Sequence, residues 1–260
     1  RLWALMLGRG LVEPLDLHHS DNPPSHPELL ETLATALTEA DFDIKSLLRA
    51  IALSDTYQRS SLMPEGLAEE DVPPESFAVA PVRPLGPEQL CFSLLQALGL
   101  AERQRAAAEK ELTTGDPRLN ELLSVDPARE ELREQLEEQA AYDRLKGNLG
   151  NFVKLFGGPP GSPQTATEPT VHQALFLANG ANTNSWLEAG KGGLVQQLNE
   201  ISDPGAVAEA LYISVLSRRP SDIERGEVAG YLVARADARE AALQEMAWAL
   251  CMSAEFRFNH

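Results

Sequence analysis

The sequence is short of several things at once, and the shortages narrow what it can be. Its longest apolar runs fall far below the ~20 residues that a membrane-spanning helix needs. No basic stretch followed by an apolar one opens the chain as a secretion signal would, but the chain reads as a piece of a longer protein, so this says nothing about where the parent resides. Basic residues are outnumbered, 22 Lys and Arg against 39 Asp and Glu, for a net charge of −17. They are also scattered rather than gathered in a stripe, so a phosphate backbone is repelled and nucleic acid is excluded as a partner. Aromatic residues are only 6% and mostly on core faces, which leaves carbohydrate binding, a function that wants clustered exposed aromatics, as a third option with little support. The two cysteines, Cys91 and Cys251, lack CxxC spacing and nearby ligand residues, and both fall on apolar helical faces, which reads as buried free thiols. There is no CxxCH for a c-type haem, no GxSxG, no Cys–His pairing signal and no glycine-rich phosphate cradle after a strand. No catalytic or cofactor-binding residue is assigned.

What is present is helix after helix, with no alternating strand pattern and no internal repeat. Hydrophobic residues at 43% of 260 suffice for a real core. Trp3 to Leu7 reads as a helix end closed by Gly8 and Gly10. Ser25 and Glu28 are spaced as a capping box before a stripe of Leu29, Leu30, Leu33 and Leu37. Asp43 caps the next helix, with Ile44, Leu47, Leu48 and Ile51 inward. Pro87 opens a helix whose Leu90, Cys91, Leu94, Leu95 and Leu98 share one side before Gly99 stops it. Asp126-Pro127 and Asp203-Pro204 mark further starts, and Ser221 with Glu224 forms a second capping box. Asn179-Gly180 reads as a helix stop with the asparagine in left-handed geometry. A helix from Thr183 towards Asn199 carries a glycine-rich interruption at 190–193.

The expected architecture is therefore all-α: one domain over 1–260, cut from a longer protein. It carries a proline-rich surface loop at 62–81 and a flexible loop at 157–169. Between them, residues 101–148 are rich in Glu, Arg, Gln and Ala with a thin apolar stripe, the pattern of an inserted polar helical arm.

Several motifs then coincide. Trp3, Leu7-Gly8-Arg9-Gly10-Leu11-Val12-Glu13-Pro14 and Asn22-Pro23-Pro24-Ser25-His26-Pro27-Glu28-Leu29-Leu30 are followed by Lys45 to Gln58. After these come Glu88-Gln89-Leu90, Gln173 to Gly180, Leu211-Tyr212, Leu216 to Pro220 and Glu255 to His260. Together and in this order they resemble a C-terminal domain family of unknown function abundant in planctomycetes. The match covers nearly the whole chain except 101–148 and the proline loops. Two departures stand out: Cys91-Phe92 where the family commonly has Arg-Asp, and Leu7 where an aromatic commonly precedes the first glycine. The loss of an acidic residue there assigns that helix to packing.

The resemblance implies a large exported protein, periplasmic or cell-surface. A second domain would lie upstream in the same polypeptide, often with a cytochrome-c-like segment that would hold the haem. It implies no established reaction. The leading expectation is a non-catalytic interaction or scaffold domain. Its partners would be the upstream domain of the same polypeptide and other proteins, with Leu2, Trp3, Met6 and Arg9 as a severed inter-domain surface. Arg9 itself is expected to pair with Glu13 or Asp16. The alternative is a metal-dependent enzyme or electron-transfer accessory built on Asp16, His18, His19 and His26, whose carboxylate and imidazole groups suit zinc or iron. Their spacing matches no metal motif. Glu255, Asn259 and His260 close the chain as candidates for contact with a neighbouring domain.

Overall fold

The computed structural model describes residues 1–115, 127–158, 170–188 and 192–259. Asp126, the 159–169 portion of the expected flexible loop, residues 190 and 191 of the glycine-rich interruption, and His260 lie outside the described residues. The fold is all-α, and the chain gathers into two compact units, Leu85–Arg257 and the remainder. Among the described residues no helix is long and apolar enough to cross a membrane.

The first unit holds α1 (Leu2–Leu7), α2 (Pro27–Glu39) and α3 (Ile44–Ala52). Gly8 ends α1 at φ 78°, donating its N–H to Ala4 O at 2.8 Å. A side chain there is excluded twice: by the left-handed backbone, and by Arg83 Cδ, which lies 2.8 Å from where a Cβ would stand. Arg83 comes that close because its guanidinium donates to Leu5 O at 3.0 Å and Met6 O at 2.7 Å, filling carbonyls that a helix end leaves unpaired. Arg83 also begins β1 (Arg83–Pro84), which pairs antiparallel with β2 (Phe258–Asn259) in register Arg83↔Asn259.

The core of this unit is small: Trp3, Leu7, Leu11, Leu47, Ile51 and Phe77. Trp3 and Phe77 meet edge to face at 5.3 Å. The proline-rich 62–81 segment therefore does more than cross the surface, since it delivers Phe77 to the core. Asp43 caps α3 as expected, accepting from Lys45 N at 2.9 Å. Leu47 and Ile51 are buried, whereas Ile44 points outward. The capping box at Ser25 does not form. His26 takes the N-cap place without a side-chain cap, because Ser25 is engaged elsewhere: both its N–H (2.7 Å) and its hydroxyl (3.2 Å) donate to Leu11 O.

The second unit begins with α4 (Pro87–Ala97), whose Leu90, Cys91, Leu94 and Leu95 are buried on the expected side. Helices α5 (Leu100–Gly115) and α6 (Pro127–Leu145) pack together along Ala108, Ala141 and Leu145. Arg133 reaches Glu109 at 3.4 Å, and Arg144 pairs with Glu111. Then come α7 (Leu149–Phe156), α8 (Val171–Asn179), α9 (Ala181–Leu187) and α10 (Leu194–Glu200). Here Phe152 is enclosed by Phe156, Phe176 and Trp186. The stop between α8 and α9 uses an extended Gly180, φ −61° and ψ 130°, so no left-handed Asn179 is needed.

The last helices are α11 (Pro204–Leu216), α12 (Asp222–Ala234), α13 (Arg239–Cys251) and the short α14 (Ala254–Arg257). Asp203 caps α11 through Ala206 N at 2.7 Å, and Ser221 with Glu224 closes the predicted box on α12. Val207, Leu211 and Leu243 have no exposed surface. Each such side chain contributes roughly 2 kcal/mol through removal from water. Both cysteines are free and buried, and burial alone pushes the Cys91 thiol up to about 11 and that of Cys251 to about 12.

Candidate functional site

The residues singled out for metal chemistry are drawn into separate local turns. Asp16 is held by the Arg1 guanidinium, whose hydrogen bonds keep its carboxyl below the ordinary carboxylate range. His18 is exposed. His19 accepts the Asp21 N–H on Nδ1 at 3.2 Å, and its carbonyl accepts from Asn22 N at 3.0 Å. His26 lies 3.1 Å from Ser25 Oγ, with its ring tilted against Phe77 at 5.8 Å. Among the described residues no three His, Cys, Asp or Glu side chains converge where they could hold a metal ion. The structure does not bring Asp16, His18, His19 and His26 together as one ligand set.

The expected interaction surface is also reshaped. Trp3 is only 7% exposed because Phe77 covers it, and Leu2 and Met6 are half-buried against the same cluster. Leu5, at 68%, is the residue that α1 turns to water. Arg9 reaches neither Glu13 nor Asp16. Glu13 instead accepts the Gly10 N–H at 3.1 Å, and the nearest carboxylate to Arg9 is Glu75 at 3.9 Å.

The strongest polar constellation lies at the other end of the chain. Ser217 ends α11 in left-handed geometry, φ 56°, and so turns Arg218 back across the helix ends. Arg218 donates to both oxygens of Glu224, at 2.9 and 2.7 Å, and to Glu255 Oε2 at 2.9 Å, while its guanidinium stands 5.2 Å over the Tyr212 ring. Glu224 also accepts from Ser221 N at 2.7 Å. Arg218 first, and Ser221 next, hold the Glu224 carboxyl down at about 2. The cluster ties the end of α11, the start of α12 and α14 together. Glu255 is thus engaged inside its own unit.

Beside this cluster, and sharing Tyr212 with it, a groove of about 350 Å³ opens between α11, α12 and α13. Leu211 and Tyr212 of α11 form its floor. One wall comes from α12 through Glu227, Val228 and Tyr231, the other from α13 through Glu245, Met246, Ala249 and Leu250. Both walls follow helical spacing: 227, 228 and 231 share one face, as do 245, 246, 249 and 250. Ala249, an exposed residue, contributes only a methyl to the α13 wall.

One end of the groove is fastened. Tyr231 Oη donates to Glu245, and Arg235 donates to Glu245 Oε1 at 3.0 Å and to Tyr231 Oη at 3.3 Å. Tyr231 first, and then Arg235, lower the Glu245 carboxyl, and the bond to Glu245 raises the Tyr231 phenol. Tyr212 on the floor is also raised, by burial first and then by the negative field of Glu224. The arrangement offers an apolar trough with an electronegative margin. Sequence reading missed it, although the i,i+4 pair Tyr231 and Arg235 was a visible sign of a shared polar end.

No curated protein and no solved structure matches the chain. One family model does, over residues 1–232, an interval that takes in the groove floor and the α12 wall and stops before α13. On that match the chain belongs to the PSD1 family, proteins of unknown function (DUF1553).

Proposed function

We propose that the chain is a non-catalytic interaction domain of a larger exported protein, and that it docks partner proteins through the groove between α12 and α13. The observation that carries this reading is the groove itself: a largely apolar trough bordered by Glu227 and Glu245 and left open to water between two helices. Helix-lined troughs of this kind accept an apolar face or anchor from another chain, with affinity coming from a few buried contacts. The fastened end supports it, because Tyr231, Glu245 and Arg235 fix the wall spacing before any partner arrives. Preorganisation of that sort lowers the ordering cost of binding. The resemblance in the sequence is the ground for an exported, periplasmic or cell-surface, parent protein in which any c-type haem sits outside this chain.

The test is a displayed library of random linear peptides panned on the intact chain. Ala249→Trp, a change at an exposed helical position, fills the groove without touching the core. Peptides that bind the unaltered chain and lose binding to Ala249→Trp are the expected result. A library in which every binder tolerates Ala249→Trp would sink the reading.

A further inference from the structure

Within that proposed docking role, on which the following step rests, the groove's charge selects its occupant. We infer that the groove receives a lysine or arginine from a segment of a partner protein, with Glu227 as the counter-charge and the segment's apolar neighbours seated on the trough. Two carboxylates border the groove, and they differ in what they already hold. Glu245 is engaged by Tyr231 and Arg235. Glu227 forms no hydrogen bond or ion pair among the described residues, and it stands on the α12 wall one turn before Tyr231.

The mixed lining of the trough, apolar with a carboxylate at its border, suits a long cationic side chain. Lys and Arg carry an apolar stem that lies along apolar surface while the charged head stays hydrated at the edge. Met246 and Leu250 supply the surface, and Glu227 marks the edge. An acidic occupant is opposed both here and by the whole chain, whose net charge is −17. The raised phenol of Tyr212, after burial, reflects the excess of carboxylates over Arg218 around the floor.

The experiment begins with the groove-dependent peptides, those that Ala249→Trp loses, resynthesised singly. Lys or Arg should be enriched among them over Asp and Glu. Glu227→Gln should weaken the Kd of a basic peptide by about fivefold, the scale of one rim ion pair. The same peptide with its basic residue changed to Gln should bind unaltered chain and Glu227→Gln equally, closing a double-mutant cycle on one pair. Groove-dependent peptides without basic residues, or an equal Kd on Glu227→Gln, would overturn the charge assignment and leave the docking groove standing. If no peptide depends on Ala249, the docking reading itself falls and takes this inference with it.

Discussion

In the unit Leu85–Arg257, helix α13 encloses Ala242, Leu243, Ala247 and Cys251 almost completely, whereas in the other unit helix α2, of equal length, encloses no residue at all. Both helices carry apolar stripes. The difference is in what stands opposite them. The α13 face meets α10, α11 and α12. The stripe of α2 meets a core of six buried side chains. Burial strength is therefore spread over many contacts in one unit and concentrated on a few anchors, Trp3 and Phe77 above all, in the other. A thin core with one aromatic pair at its centre should fail locally, and a deep one should fail as a whole.

That contrast breaks most sharply at Trp3. Trp3→Ala should cost about 4 kcal/mol, read as lost amide-exchange protection at Leu47 and Ile51 while amides of α13 keep theirs. Leu243→Ala, at a position with no exposed surface, should cost about 3 kcal/mol. It should shift the main transition in urea rather than a local one. Equal loss of protection in both units on Trp3→Ala would show that the two cores are not distinct.

The polar contacts sharpen the comparison at lower energy. Arg218 binds two carboxylates with a fork, and Arg9 reaches one at 3.9 Å. Arg218→Met should cost about 1.5 kcal/mol, less than a fully buried pair because its side chain is 37% exposed. Glu224 adds a pH signature. Its folded value, about 2, lies below the ordinary 4.5, so the stabilisation is complete above pH 4.5 and drains away as pH falls towards about 2. Glu224→Gln should flatten that acid limb in denaturation followed by circular dichroism. Arg9→Ala is the weakest: a change within about 0.5 kcal/mol is expected, and a larger one in the same denaturation series would mean that Arg9 anchors its loop after all.

Much of the fold could be read from the chain because its signals were local. Asp43, Asp203 and Ser221 cap helices through amides two or three residues away, and the leucines of α4 recur at helical spacing. Ser25 shows the limit of that logic. Its capping geometry was available, and a carbonyl fourteen residues earlier, on Leu11, took its N–H and hydroxyl instead. Trp3 looked exposed because the residue that covers it, Phe77, arrives on a proline-rich loop with no periodicity to announce it. Arg218 and Glu255 are thirty-seven residues apart, so their pairing is a property of packed helices rather than of sequence spacing. The groove was hardest to see, since it lies between helices whose contact no local pattern specifies.

The two deep thiols have a practical corollary. Cys91 and Cys251 are the chain's only cysteines, and with almost no exposed surface and ionisation pushed to about 11 and about 12 they offer no thiolate to reagents at neutral pH. Towards thiol-directed reagents the native chain is in effect blank. A single cysteine placed at Ala249 would be its one reactive sulfur, and a fluorophore attached there would report the filling of the groove directly, with no background from the rest of the protein.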